Sequence, residues 1–219
     1  MDDPTLAEFQ GEATHGYYRY DAEGVPARRV ALVERGILRT FLMSRWPVKG
    51  FDRSNGHGRA DHFRRPTGRM ANLIVLAHES VPRASLKGRL RALCRAKGKP
   101  YGFLLQGSGG GENPNNRRQA QTLEVRPRRV IRVDAESGKE TVVRGVKMIG
   151  TPLVLVNRIV AAADDPALAN YYFCGAESGT IPVSQIAPSV LVSEVELQRV
   201  PDARARPPIL PSPFHDKAD

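Results

Sequence analysis

The sequence predicts an α+β fold dominated by antiparallel β-sheet, with one or two short helices. Three observations lead there. Apolar residues fall in many short runs, such as 30–33, 37–43 and 70–76, each closed by turn-forming residues. Glycine (20) and proline (17) are frequent among the 219 residues, which favours turns over long helices. Only residues 85–98 carry a clear helical period, with Leu86, Leu90, Leu93 and Cys94 on one face and Lys87, Arg89, Arg91 and Arg95 around the rest.

Residues 1–16 are polar and read as a poorly ordered lead-in, 17–200 as the folded domain, and 201–219 as a proline-rich mobile tail. Within the domain, Glu34-Arg35-Gly36 separates two apolar runs and predicts a hairpin, with Gly36 able to adopt a positive φ. Residues 47–69 lack an apolar period and read as a long loop. The helix is expected to start near Ser85 and stop at Lys97-Gly98, with Cys94 as a core thiol. Residues 101–106 read as a strand, followed by a flexible Gly/Asn-rich loop over 107–121. That loop has neither the Gly-Lys-Ser/Thr of a P-loop nor a GxGxxG before a helix. Strands are expected around a turn at 134–140, a helix or strand start at 151–160, a turn at Asp164-Asp165-Pro166, and a last strand over 188–200.

Composition narrows the function classes. A hydrophobic content of 41% allows a core. The net charge of +10 suits either nucleic-acid binding through 83–99 and 117–129 or a soluble protein rich in arginine, and the scattered pattern with interposed acids argues against a nucleic-acid partner. No window is apolar enough to cross a membrane, and the Asp2-Asp3-Pro4 start is unlike an export signal. Two cysteines, Cys94 and Cys174, make no disulfide scaffold; the expected compartment is the cytoplasm, with both thiols free.

Few side chains arrange for chemistry. His78-Glu79 fails as a zinc-peptidase helix, because positions 82 and 83 are Pro82 and Arg83. His57 and His62, with four residues between them, could hold a metal as a loop pair, but no other local ligand completes a tetrahedron, and a polar solvated loop is the plainer reading. Cys174 is followed by Gly175 and Gly179, which let the backbone bend close to a partner; read from the residues alone it is either a core thiol or a ligand.

The stretch 174–197, CGAESGTIPVSQIAPSVLVSEVEL, resembles the C-terminal signature of the TldD/PmbA (TldD/TldE) metallopeptidase family. Further segments resemble that family in the same order: DAEGVP at 21–26 with its hairpin, SNGHGR at 54–59, GRMANLIV at 68–75, GSGGG at 107–111 and VRGVKMIG at 143–150. Together they span about residues 12–200. The resemblance implies a zinc metallopeptidase of dimeric architecture acting on unfolded or modified peptides. It implies Cys174 as a metal ligand, and Asn55, Arg59, Arg69 and Asn72 along the peptide path. The family's HExxxH segment, with two histidine ligands and the glutamate acting on metal-bound water, has no counterpart in this chain. The expectation is therefore a C-terminal half that is inactive alone, assigns no catalytic residue of its own and holds zinc only with outside ligands. A non-catalytic partner in a homo- or heterodimer with a TldD/PmbA-type subunit is the alternative.

Overall fold

The computed structural model describes residues 1–112 and 122–200; the expected tail at 201–219 and part of the expected loop, 113–121, lie outside them. In chain order, β1 (Glu8–Phe9) and β2 (Glu12–Ala13) form a hairpin, as do β3 (Val33–Glu34) and β4 (Ile37–Leu38). The second turn places Arg35 at φ 51° and Gly36 at φ 78°, the positive pair that matches the twist of a tight hairpin. β5 (Gly58–Arg59) and β6 (Thr67–Gly68) pair within what reads as a loop, and β7 (Asn72–Ile74) follows. Then come α1 (Ser85–Ala96), β8 (Tyr101–Glu112), β9 (Leu123–Asp134), β10 (Glu140–Val143), β11 (Val146–Gly150) and the short α2 (Pro152–Asn157). β12 (Ile159–Ala162), β13 (Ala167–Ala176), β14 (Gly179–Ala187), β15 (Val190–Val192) and β16 (Glu196–Arg199) complete the fold. The architecture is α+β and mostly antiparallel, as the sequence predicts.

The chain divides into two compact units, 1–90 with 159–192, and 91–158 with the segment from Ser193 onward. The first unit is built on a three-stranded sheet in which β14 lies between β13, antiparallel, and β7, parallel. Ile181, Val183 and Ile186 of β14 are buried, as are Val30, Met43 and Ala71. The second unit centres on β9, which pairs with β8 along one edge and with β10 and β11 along the other. Its core residues Val130, Ile131 and Val133 lie on β9. Asp134 opens the turn at the end of β9. Its carboxylate accepts the N–H and hydroxyl of Ser137 and the N–H of Glu136, which holds it below the usual carboxylate range.

The helix α1 ends as its sequence requires: Gly98 has φ 61°, and the N–H of Lys99 reaches back to the Cys94 carbonyl at 2.8 Å. Cys94 is buried on its apolar face.

Three local expectations differ from the structure. Residues 1–16 are built into the first unit, where Asp2 bridges Val30 and Leu73 and is fully buried. Polarity suggests a solvated lead-in, but these polar groups have internal partners. Ser108–Glu112 continues β8 despite its glycines, because β9 supplies the pairing register. The last apolar stretch is two strands: β15 pairs with β12 and β16 with β11.

Gly16 illustrates how tightly the lead-in is held. A Cβ there would lie 2.2 Å from the Ala71 carbonyl oxygen and 2.3 Å from Asn72 Oδ1. Both are fixed, so Gly16→Ala should lower unfolding stability by roughly 2 kcal/mol. Urea denaturation checks this; an unchanged midpoint would contradict the packing.

Candidate functional site

The chemistry-bearing residues gather in the first unit, where β13 and β14 turn back on each other. Cys174 of β13 stands opposite Ile181 of β14, and Glu177 and Ser178 form the turn. The register shifts between Tyr171 and Cys174. Such a bulge re-aims the side chain that follows it. The Cys174 thiol is half-buried.

Arg69 reaches this turn from the segment between β6 and β7. Its backbone N–H donates to the His57 carbonyl at 2.9 Å, which fixes where the side chain starts. Its buried guanidinium then donates to Ser178 Oγ at 2.8 Å, to the Gly179 carbonyl at 3.1 Å and to the Cys174 carbonyl at 2.5 Å. A fourth contact reaches Cys174 Sγ at 3.5 Å. One planar cation thus ties both strands of the hairpin together and orients the sulfur.

Arg59 lies beside this clamp. It donates to the Met70 carbonyl at 2.7 Å and to the Pro182 carbonyl at 2.9 Å, and its guanidinium carbon sits 5.1 Å from the Tyr18 ring centroid. Burial lowers the Arg59 pKa while Tyr18 and Asp2 offset part of that shift. Burial also pushes the Tyr18 phenol up, with Arg59 opposing; its hydroxyl donates to the Gly56 carbonyl at 2.9 Å.

Asn55 and Asn72 are placed inside the scaffold. Asn72 is fully buried; its Oδ1 accepts the Gly16 N–H, and its Nδ2 faces the Asp3 and Leu6 carbonyls and Thr14 Oγ1. Asn55 accepts the Met43 N–H at 2.7 Å and donates to the Phe41 carbonyl at 2.8 Å. The structure therefore brings Arg69 to Cys174, sets Arg59 in the supporting layer, and uses both asparagine amides to hold the chain.

Beneath them lies a pair that no spacing announces. His57 Nε2 is 3.2 Å from Asp2 Oδ1, and both side chains have no solvent exposure. Asp2 also accepts the Ala71 N–H on both carboxylate oxygens at 3.0 Å. His57 Nδ1 faces the carbonyl and Oδ1 of Asn55, each at 3.1 Å. Both ring nitrogens thus face oxygen partners. His57 is consumed by this pairing, while His62 and His78 are exposed.

Among the described residues, no group of three or more His, Cys, Asp or Glu side chains is placed to hold a metal ion. At the hairpin the Cys174 thiol is accompanied by two exposed carboxylates, Glu177 in the turn and Asp61 against Gly179, which with it form no cluster, so these residues fit a contribution to a metal site rather than a whole one. The two thiols also differ in accessibility. Cys94 is buried, and burial raises its pKa with Arg95 opposing. Native alkylation read by peptide mass spectrometry should therefore modify Cys174 well before Cys94; equal rates would contradict the placement.

No helix among the described residues is long and apolar enough to cross a membrane.

Comparison with known proteins adds the family frame. Residues 1–199 match the PmbA/TldA metallopeptidase C-terminal domain. The chain is 30% identical over 202 residues to a metalloprotease of Archaeoglobus fulgidus, covering 87% of this chain and 40% of that protein. It is 28% identical over 185 residues to the metalloprotease MJ0996 of Methanocaldococcus jannaschii, covering 84% of this chain and 36% of that protein. The fold is similar to that of TldE from Thermococcus kodakarensis, with a TM-score of 0.61 at 17% identity over 90% of this chain and 38% of that one. The chain thus spans less than half the length of these relatives.

Proposed function

This chain belongs to the PmbA/TldA metallopeptidase family, and from that premise we propose that it is the part of a zinc peptidase that presents Cys174 to a metal whose other ligands come from an HExxxH-bearing segment. The observation that carries this reading is the half-buried Cys174 thiol, held by Arg69 on an edge strand of the β13–β14–β7 sheet. An edge strand leaves backbone groups open to an incoming chain, and the sheet behind it is rigid.

In this reading a bound zinc would supply an activated water for hydrolysis of unfolded or modified peptides. The residues of this chain do the positioning. Arg69 aims the sulfur and locks the turn that carries it, as an outer-layer donor commonly orients a metal ligand. Arg59 ties β14 to the residue that follows Arg69. Asn55 and Asn72 keep the walls of the peptide path in place through the hydrogen bonds of their amides. The chain alone is inactive, and it works in a cytoplasmic homo- or heterodimer with a TldD/PmbA-type subunit.

The test is reconstitution. The chain is mixed with a family segment bearing HExxxH and zinc, and hydrolysis of a fluorogenic peptide is followed. Activity should appear only in the mixture, vanish with a chelator and fall by at least about a hundredfold in Cys174→Ser. Hydrolysis that survives both treatments would overturn the proposal. A complex that forms and cleaves normally with Cys174→Ser would instead mark the chain as a non-catalytic partner.

A further inference from the structure

The connection between β5 and β6, residues 60–66, carries the most exposed large apolar side chain among the described residues. Phe63 is 108% exposed, while Leu153, the next, stands at 67%. We propose that Phe63 is a docking anchor, inserting into the HExxxH-bearing segment that completes the metal site and seating that segment on the Cys174 hairpin. The proposal rests on the peptidase reading and names the contact through which the two parts meet.

Three observations carry it. The first is a cost that brings no return inside the chain. Phe63 has φ 59°, a left-handed backbone that a bulky side chain adopts only with strain. Gln10 and Arg35 share the sign, but each precedes a glycine in a two-residue hairpin turn that needs it. Phe63 precedes Arg64 in a longer connection, where no such turn demands it. Its ring leans on the adjacent His62 ring, centroids 6.4 Å apart, and His62 is exposed as well. A strained backbone thus holds an aromatic ring away from the core, and burial against another chain offsets that cost.

The second is rigidity. The Asp61 N–H donates to the Ser178 carbonyl at 2.9 Å, and the Asp61 carbonyl accepts the Arg64 N–H at 3.2 Å. The Asp61 carboxylate accepts the His62 N–H at 2.7 Å. On the other leg, the Arg65 guanidinium carbon lies 3.4 Å from the Trp46 ring centroid. Phe63 stands between two pinned legs, and an aromatic fixed in advance binds with little ordering cost.

The third is position, and it identifies the occupant. Three residues of this region grip the Cys174 hairpin: Arg59 holds the Pro182 carbonyl, Asp61 that of Ser178, and Arg69 those of Cys174 and Gly179. Phe63 is two residues beyond Asp61, so it stands at the turn that joins the strand of the thiol to β14. A segment bringing further ligands to the Cys174 sulfur must approach that end of the hairpin and meet the ring. The relatives have the length to supply it, since the matched region is 36–40% of theirs.

The full chain is titrated with the HExxxH-bearing family segment in the presence of a chelator, and association is followed by calorimetry. Wild type and Cys174→Ser should associate equally. Phe63→Ser and Phe63→Gly should weaken association at least about tenfold, as loss of a buried aromatic anchor does. Phe63→Gly, which suits the positive φ, should unfold at no lower urea concentration than wild type, so that its weaker binding is not a loss of fold. Association unchanged in both Phe63 variants, or no association of wild type, would overturn the proposal. So would a Phe63-dependent dimer of this chain alone in sedimentation velocity, or Phe63-dependent binding to phosphatidylserine vesicles, which would make a second copy or a membrane surface the occupant. Phe63-dependent association without zinc-dependent hydrolysis would remove the metal reading and leave the docking. Hydrolysis with Phe63-independent association would do the reverse.

Discussion

Asp2→Ala is expected to lower unfolding stability by about 2–5 kcal/mol, the cost of leaving two buried hydrogen-bonding groups without their partner. The carboxylate serves two partners at once: His57 Nε2 at 3.2 Å and the Ala71 N–H at 3.0 Å, both away from solvent. Alanine would leave the buried His57 Nε2 and the buried Ala71 N–H without their partner. The loss should reach beyond residue 2, because Asp2 exchanges backbone bonds with Val30 at 2.9 and 2.8 Å while Ala71 lies between Arg69 and β7. Guanidinium unfolding measures the effect. A double-mutant cycle with His57→Leu separates the pair from its surroundings: the double variant should be more stable than the sum of the singles predicts, by roughly 1–3 kcal/mol. Additive losses would mean that the two side chains do not act as a pair.

Arg69→Met should cost about 3 kcal/mol, since three oxygen acceptors and the Cys174 sulfur lose a shared charged donor. No carboxylate pairs with Arg69 among the described residues; its charge rests on carbonyls, a hydroxyl and a thiol. The discriminating variant is Arg69→Lys. Lysine keeps the charge but presents it as a point, and it cannot span acceptors on both strands of the hairpin. It should therefore recover less than half of the lost stability. Full recovery in chemical denaturation would show that charge, not the planar fork, holds the turn.

Much of the fold could be read from local chemistry. The spacing of Leu86, Leu90, Leu93 and Cys94 marks α1, and Lys97-Gly98 marks its end, because each signal is decided within one or two helical turns. Gly36 likewise marks the β3–β4 turn. Contacts between distant residues were not legible. Asp2 in a polar opening gives no hint of the buried partners 55 and 69 positions away. Val190–Val192 and Glu196–Arg199 look like one strand until their partners, β12 and β11, separate them.

The site shows the same limit. Arg69 could be singled out only through resemblance to a family, while the glycines after Cys174 marked that residue but left it either a core thiol or a ligand. That the guanidinium touches the sulfur depends on the fold of two segments 105 residues apart. Asn55 and Asn72 stand out as motif residues, but the inward use of their amides is visible only once Phe41, Met43, Gly16 and Asp3 are in place.

Cobalt substitution tests the central claim most directly. The chain is combined with an HExxxH-bearing family segment, cobalt(II) replaces zinc, and the near-ultraviolet thiolate-to-metal absorption is recorded. The band should appear in the wild-type mixture, persist in Cys94→Ser and disappear in Cys174→Ser. A band that survives Cys174→Ser, or one that never forms although the two segments associate, would contradict the claim that this sulfur is a metal ligand.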